Sequence, residues 1–302
     1  MLKYLFTVLL TGSYLIGFAQ QQPAFAEYNY NTILINPAHA GYYENSEVTI
    51  ANLSSFSGIE GAPSTLNATL NLTLNNDNVG LGGGIMRDEI GVTSTNSAFI
   101  AYAYKLHFGV QARAPRFHNF NPNVLSFGIQ AGVYNYTENL RELGITDDPN
   151  FQNNIQGTVP TLGLGVMYNR NQLYAGLSVP NVLGNSLATD KSLKINTIGY
   201  AYAGYRLYAG VFDEFEIKPN LLLRYTEGAP LNLDLNTIVN YKNKIEGGLG
   251  YRTSSAVNIF AGFYFFKSFR FIYNYSMPLQ ESPLPATHGL ILSYRFGKGY
   301  NY

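Results

Sequence analysis

Apolar and polar residues alternate one by one along much of this chain. In TLNATLNLTL, Thr65–Leu74, every even-numbered position from 66 to 74 is Leu or Ala, and Asn or Thr stands between them. A period of two gives a β-strand one apolar face and one polar face. The same pattern predicts six further strands. These are Val79–Ile85, Leu125–Val133, Leu231–Val239, Ile245–Tyr251, Phe269–Tyr275 and Leu290–Phe296.

Seven weaker segments alternate less regularly and bring the predicted number of strands to about 14. Many of the predicted strands approach the roughly 9–11 residues with which a tilted strand crosses a bilayer. No segment of useful length has a helical period, so we expect an all-β fold. The weaker segments are Val48–Phe56, Ala98–Lys105, Thr161–Tyr168, Gln172–Val179, Thr197–Tyr208, Phe215–Arg224 and Ala256–Phe265.

The leucines of Thr65–Leu74 face either a soluble core or lipid. About 14 strands present too many apolar faces for one soluble core, while their other faces carry Asn, Gly and charged residues. Only 13% of the residues are charged, whereas a soluble domain has roughly 25%. Lipid does not tolerate open sheet edges, so a spanning sheet must close. We therefore predict a transmembrane outer-membrane β-barrel of antiparallel strands, and the alternative is a secreted β-sandwich or propeller.

The first residues, MLKYLFTVLLTGSYLIGFAQQQ, are typical of a secretory signal peptide. Lys3 provides a positive charge, an apolar stretch follows, and Gly17 and Ala19 are small residues before a cleavage site. A membrane anchor is the alternative, but the apolar stretch is short for a span. We expect a signal peptide at residues 1–19, an N-terminal periplasmic extension at 20–45 and one barrel domain at 46–302. This predicts the outer membrane of a Gram-negative bacterium, with the N-terminus in the periplasm.

The connections between the predicted strands alternate between short and long, as periplasmic turns and extracellular loops do in outer-membrane barrels. The short ones include Asn169–Asn171 and Lys242–Lys244, and the long ones are Arg141–Pro160, Pro180–Lys194 and Met277–Thr287.

Strand parity also places charges of both signs on the lumen face. They indicate either pairs across a narrow or plugged lumen or ordinary solvated charges. These residues are Glu216, Lys218, Arg224, Asp234, Glu246, Arg252, Arg270 and Arg295.

The chain carries little that indicates catalysis or metal binding. It has no cysteine and its four histidines are scattered, so we expect no metal site, no cofactor and no enzyme activity. The run GLGGG, Gly80–Gly84, precedes no helix, and barrel curvature or close packing explains it better than phosphate binding. With 19 basic and 19 acidic residues, no nucleic acid partner is favoured.

One predicted connection, Leu106–Asn123, is long although strand parity places it on the periplasmic side. It is basic and contains no acidic residue. Its Arg113 and Arg116 are candidate contacts for a periplasmic partner. A neutral insertion is the alternative.

Several sequence blocks follow one another along the mature chain. They are INPAHAG at Ile35–Gly41, GIEGAP at Gly58–Pro63, DEIG at Asp88–Gly91, SVPN at Ser178–Asn181 and THGLILSYRF at Thr287–Phe296. In this order they resemble the PorP/SprF family of outer-membrane proteins, which are tied to the type IX secretion system. The family usually has an aromatic residue where this chain has His39.

The resemblance implies a single non-enzymatic barrel that supports the secretion or surface anchoring of large type IX substrates, such as gliding adhesins. The implied partners are the C-terminal domain of a substrate at the extracellular loops, periplasmic type IX components and outer-membrane lipid. A passive porin for small solutes is the alternative function. A membrane hydrolase is a third, for which we find no catalytic residues.

The segment before the first strand offers a second candidate for partner contact. Pro37 and Gly41 would fix a bend, and together with Asn36 they are possible contact residues. The bend would tuck the N-terminus against the periplasmic mouth of the barrel. A simple rigid turn is the alternative.

Overall fold

The computed structural model describes residues 26–55, 61–74, 78–109, 123–145, 147–184, 196–253, 256–279 and 286–300. No helix within these ranges is long and apolar enough to cross a membrane. The helices are short 3₁₀ turns, at Ala26–Asn29, Thr32–Leu34, Pro37–His39, Leu140–Leu143 and Pro149–Phe151. The strands are β1 (Glu47–Ser54), β2 (Ser64–Thr73), β3 (Val79–Ile90), β4 (Thr93–His107), β5 (Asn123–Glu138), β6 (Ile155–Arg170), β7 (Leu173–Val179), β8 (Ile198–Tyr205), β9 (Leu207–Ala209), β10 (Phe215–Thr226), β11 (Asn232–Tyr241), β12 (Ile245–Arg252), β13 (Ala256–Phe265), β14 (Phe269–Pro278) and β15 (Thr287–Arg295).

The strands form one closed antiparallel barrel. β1 pairs with β15 along its whole length, with Glu47 opposite Arg295, so the first and last strands meet. β8 and the short β9 both pair with β10 and are separated by Arg206 alone, so they share one position in the wall. The barrel therefore has 14 strand positions. The predicted all-β barrel of about 14 antiparallel strands is confirmed.

The apolar face of β2 points outward, away from the lumen. Leu66 and Leu70 expose 49% and 39% of their surface, whereas Asn67 and Thr69 between them are buried. An apolar exterior around a polar interior is the arrangement of a membrane barrel. Exposed apolar side chains recur around the wall, among them Ile100, Ile129, Leu164, Leu177, Leu249 and Phe263.

The charges that strand parity placed in the lumen lie on the inner face of the wall. Lys218 and Arg224 are half-buried and the other six are buried. This part of the prediction is confirmed.

Strands β4 and β6 begin earlier than predicted, at Thr93 and Ile155. Their first residues, TSTNS and IQGTVP, are mostly polar and still pair with β5. Hydrophobic alternation gives no sign of such polar strand ends, because neither face there is consistently apolar. The predicted loop Arg141–Pro160 was therefore too long, and the connection before β6 ends at Asn154.

The two ends of the barrel differ in their connections, although less than predicted. The turn end carries the turns 171–172, 242–244 and 266–268, the start of β1 and the end of β15. The loop end carries the connections 139–154 and 180–197. The strict alternation of short and long connections is wrong at the loop end, where residues 91–92 alone join β3 to β4. Gly91, with φ of +59°, supplies the left-handed backbone that this tight turn uses.

Candidate functional site

The segment that precedes β1 lies inside the barrel. Between residues 28 and 42 every residue is buried except for three that are half-buried. We call residues 28–43 the plug. Its Ile33 and Ala40 pack against Ala101 and Ala103 on the inner face of β4. The lumen is thus filled by the chain itself, and the described part of the predicted N-terminal extension lies within the barrel.

Asn36 holds the middle of the plug in shape and ties it to the wall. It caps the 3₁₀ helix Pro37–His39, since its Oδ1 accepts a hydrogen bond from the Ala38 backbone nitrogen at 2.9 Å. Its Nδ2 donates to the Val166 carbonyl and to the Tyr202 hydroxyl, both at 3.1 Å. One amide therefore satisfies the helix start and bridges to β6 and β8.

Glycines on the inner face of the wall let the plug approach backbone to backbone. A Cβ atom at Gly80 would lie 2.0 Å from the Ala40 carbonyl oxygen, and one at Gly128 would lie 2.1 Å from the Ala38 nitrogen. A Cβ atom at Gly165 would lie 2.1 Å from the side-chain oxygen of Asn36. No side chain fits at these contacts. Close packing, one of the two explanations predicted for the lumen-facing glycines, is therefore correct for Gly80.

The end of the plug at Gly41 is held by two polar side chains. Gly41 has φ of +60°, and its nitrogen donates to the Asn71 side chain on β2. Lys105 on β4 donates from its ammonium to the Gly41 carbonyl and exposes only 1% of its surface. A buried ammonium is costly unless it is hydrogen-bonded, so this contact binds the plug firmly to the wall.

Next to it, His39 packs in an aromatic cluster. Its ring centroid lies 4.5 Å from that of Tyr42 and 5.6 Å from that of Tyr43. The Tyr42 hydroxyl accepts a hydrogen bond from Arg206 at 3.1 Å. Burial, and then the positive charge of Arg206, lowers the pKa of His39 to about 3. His39 is therefore neutral at physiological pH and occupies the place of an aromatic side chain.

A buried carboxylate links the first strand of the barrel to the last. Glu47, at the start of β1, lies 2.7 Å from the Arg295 guanidinium at the end of β15 and 3.3 Å from that of Arg270. The Tyr300 hydroxyl donates to the same carboxylate at 2.6 Å. The Arg295 guanidinium lies between two rings, 4.1 Å from Tyr300 and 4.4 Å from Tyr43. The junction between the first and last strands is thus held by ionic contacts as well as by the backbone pairing of β1 with β15.

Two further carboxylates form ion pairs on the lumen face. Arg252 and Asp234, on neighbouring strands, form a bidentate pair with both contacts at 2.8 Å. Glu216 lies 3.4 Å from Lys218 and 3.9 Å from Arg206. Of the two predicted interpretations of the lumen charges, pairing in a plugged lumen describes these residues.

The structure brings together three of the five residues predicted as partner contacts. Asn36, Pro37 and Gly41 all lie in the plug, where they contact the chain's own wall. A contact between these residues and a partner stays a prediction. Arg113 and Arg116 lie outside the described residues. Within the described ranges, no group of His, Asp or Glu is close enough to hold a metal ion.

Sequence reasoning missed the wall residues that hold the plug. Ser126 on β5 donates to the Ala38 carbonyl at 2.7 Å, and Ser178 on β7 donates to that of Ile35 at 2.6 Å. Lys105 was missed as well. The available signal was the series of Gly and Ala residues at inward positions, because a water-filled lumen has no need of such small side chains.

Comparison with known proteins identifies a family and a fold. The family described as type IX secretion system membrane protein PorP/SprF matches residues 17–294. No protein with a curated description matches the chain. Among solved structures, the outer membrane protein Omp33 of Acinetobacter baumannii is 9% identical and has a TM-score of 0.50, with 85% of this chain and 100% of that chain covered. The KdgM porin is 10% identical over 83% of this chain and 99% of its own, with a TM-score of 0.38. At such identities, the likeness to Omp33 shows a shared fold alone.

Proposed function

The chain belongs to the PorP/SprF family of type IX secretion system membrane proteins, and from that membership we propose a non-enzymatic outer-membrane barrel that supports the secretion or surface anchoring of large substrates. We propose gliding adhesins as an example of these substrates. We place the turn end and the N-terminus in the periplasm and the loop end outside the cell.

The plug is the observation that carries this proposal. It is hydrogen-bonded to β5, β6 and β7 through Ser126, Asn36 and Ser178 and is packed against glycine backbone on the wall. A lumen filled in this way supports a role at the ends of the barrel rather than transport through it. Because the wall is closed, a partner has to bind to loops and not as an added strand.

The connection 139–154 is the part of the loop end that best suits substrate binding. Arg141 orders it, since its Nε donates to the Gln152 carbonyl at 2.7 Å and its backbone nitrogen to Asn154 at 3.2 Å. Leu143 and Ile145 expose 47% and 43% of their surface there. An ordered loop with exposed apolar side chains offers a binding surface at low entropic cost. We propose that the C-terminal domain of the substrate binds here, and that periplasmic type IX components bind at the turn end.

The test is quantitative proteomics of the cell surface and the medium in a strain that lacks this protein, compared with its parent and with a complemented strain. Loss of one or a few large type IX substrates from the surface, with general secretion intact, would identify a dedicated anchor. Loss of nearly all type IX cargo would identify a core part of the machine. Unchanged surface and medium fractions would refute the secretion role.

A loop variant tests the proposed contact surface in the same strain. Complementation with the double variant Leu143→Ser and Ile145→Ser should lower the substrate on the surface at an unchanged level of the barrel. The matched control is Leu231→Ser and Leu279→Ser, at two other connections of the loop end, where both side chains are also exposed. Equal substrate levels in the two variant strains would exclude the loop as the contact.

The second candidate is a passive porin, which a polar inner wall would favour if the lumen were empty. The plug argues against it. We expect the purified barrel to give no steady conductance in a planar bilayer. A stable open channel in the unmodified protein would place the porin function first.

A further inference from the structure

A groove of about 670 Å³ runs across the outer surface of the barrel, from β7 to β13. Its floor is the backbone of four residues that are paired in one line across β8, β10, β11 and β12, namely Gly204, Asn220, Asn236 and Gly250. We propose that this groove binds one glycerophospholipid molecule, with an acyl chain along the floor and the phosphate at Arg170. The inference is independent of the role in secretion, because it concerns the face of the wall that meets lipid.

Two rows of outward side chains form the sides of the groove. The row on the loop-end side is Ala203, Leu221, Leu235 and Tyr251, and the row on the turn-end side is Tyr205, Pro219, Thr237 and Leu249. Pro219 and Thr237 are shorter than the leucines and tyrosines around them, so the middle of the groove stays open. An apolar groove of this size marks a binding site. On the outer face of a membrane barrel, the surrounding apolar molecules are lipid chains.

The length and direction of the floor suit one acyl chain. The floor spans three strand spacings of about 4.8 Å, or roughly 14 Å, and one leaflet has a hydrocarbon thickness of about 15 Å. Gly204 lies next to the turn end of β8, whereas Gly250 lies close to the loop end of β12. A chain that enters the groove at the turn end therefore rises towards the middle of the membrane.

A cation lies beside the turn end of the groove. Leu173, which lines the groove, pairs with Tyr205 on one side and with Arg170 on the other. Arg170 is the last residue of β6 and is exposed, and it follows the buried, inward Asn169, so its side chain lies on the outer face. None of the ion pairs within the described ranges includes it. A guanidinium binds phosphate through two hydrogen bonds, so this charge favours a phospholipid over an uncharged lipid.

The plug holds the floor of the groove in place from inside. The Tyr28 hydroxyl donates a hydrogen bond to the Asn220 side chain and accepts one from Asn236 at 2.9 Å. Both asparagines are buried on the lumen side, and their backbone forms the floor on the lipid side. The groove is thus formed before the lipid arrives, which lowers the entropic cost of binding.

The test is native mass spectrometry of the purified full-length barrel in dodecylmaltoside micelles. The probe is palmitoyl-oleoyl-phosphatidylglycerol, and palmitoyl-oleoyl-glycerol is the analogue without a phosphate. We expect one phosphatidylglycerol to bind about tenfold more tightly than the analogue. Thr237→Phe, which fills the groove, and Arg170→Gln, which removes the cation, should each weaken its binding about tenfold.

Two matched variants control for these changes. Ala131→Phe adds the same ring at another exposed position of the wall, and Lys244→Gln removes an exposed cation at the turn end; neither residue lines the groove. Both should bind phosphatidylglycerol like the unmodified barrel. Equal affinity in Thr237→Phe and Arg170→Gln, or equal affinity for the analogue without a phosphate, would overturn the proposal.

Photocrosslinking in liposomes locates the bound lipid. The probe is a phosphatidylglycerol with a diazirine in the middle of one acyl chain. We expect the label on peptides from β10 and β11, and its loss from them in Thr237→Phe. Label spread evenly over the strands of the wall would show ordinary surrounding lipid and would contradict a defined site.

Discussion

Replacing Gly128 with valine should release the plug from the wall and open the lumen. Gly128 lies on the inner face of β5, where the plug backbone passes directly over it. A Cβ atom at this position would lie 2.1 Å from the Ala38 nitrogen and 2.3 Å from the Pro37 carbonyl carbon, whereas ordinary contacts begin at 3.4 Å. Both neighbours are backbone atoms, so no change of rotamer relieves the overlap.

The expected cost follows from the contacts at this position. Overpacking of this kind costs about 1–3 kcal/mol. Moving the plug away also breaks the hydrogen bond from Ser126 to the Ala38 carbonyl, which contributes about 1 kcal/mol. The docked state should therefore lose about 2–4 kcal/mol, which lowers the ratio of docked to undocked plug about 30- to 700-fold.

Conductance in a planar bilayer and limited proteolysis of the plug measure this change. Gly128→Val should show frequent open-channel events and rapid cleavage within residues 28–43, while the unmodified barrel shows neither. The control is Gly199→Ala, because a Cβ atom at Gly199 meets nothing within 4 Å. The reasoning is refuted if Gly128→Val remains closed and as protected from protease as the unmodified barrel.

Three further changes test other parts of the site. Glu47→Gln leaves its two arginines buried without a carboxylate and should lower the free energy of unfolding, measured by urea unfolding in micelles, by about 3–5 kcal/mol. The control, Glu89→Gln, removes an exposed ion pair and should lower it by no more than about 1 kcal/mol. Equal effects of the two substitutions would contradict the role of the buried cluster. His39 has a pKa of about 3 when docked and about 6.5 when undocked, so docking should be unaffected above pH 6.5 and should weaken as the pH falls from 6.5 towards 3. His39→Phe should abolish this dependence in protease-protection assays between pH 8 and 4, and the same profile in both proteins would argue against it. Asn36→Ala removes the helix cap and two wall contacts. At roughly 1 kcal/mol for each of these three hydrogen bonds, plug cleavage should increase about 100-fold. Unchanged cleavage would show that these hydrogen bonds are dispensable.

The barrel was predictable from sequence because lipid imposes a strict pattern on its outer face. A strand such as β13, Ala256–Phe265, has the predicted bounds. At Thr93 and Ile155 the wall extends past the apolar band, and lipid no longer constrains the sequence there. The prediction therefore did not include these first residues of β4 and β6. Hydrophobic alternation thus reports contact with lipid and not strand length as such.

The plug was not predictable in the same way. Alternation states only that the inner face is polar, and both water and a hydrogen-bonded segment satisfy a polar face. Asn71 and Ser126 are compatible with either. The glycines at 80 and 128 were more informative, because the close approach of another backbone requires a position without a side chain. Which segment fills the lumen depends on contacts between distant parts of the chain, and a single sequence does not specify them.

The plug also has a consequence for the order in which the protein folds. Asn36 bonds to Val166, 130 residues later, and Arg270 bonds to the Tyr30 carbonyl, 240 residues earlier. Contacts that close such long loops form slowly, because their entropic cost is met before they stabilise anything. The plug, which is synthesised before every strand of the wall, is therefore fixed last, when the final strands arrive and the wall closes around it.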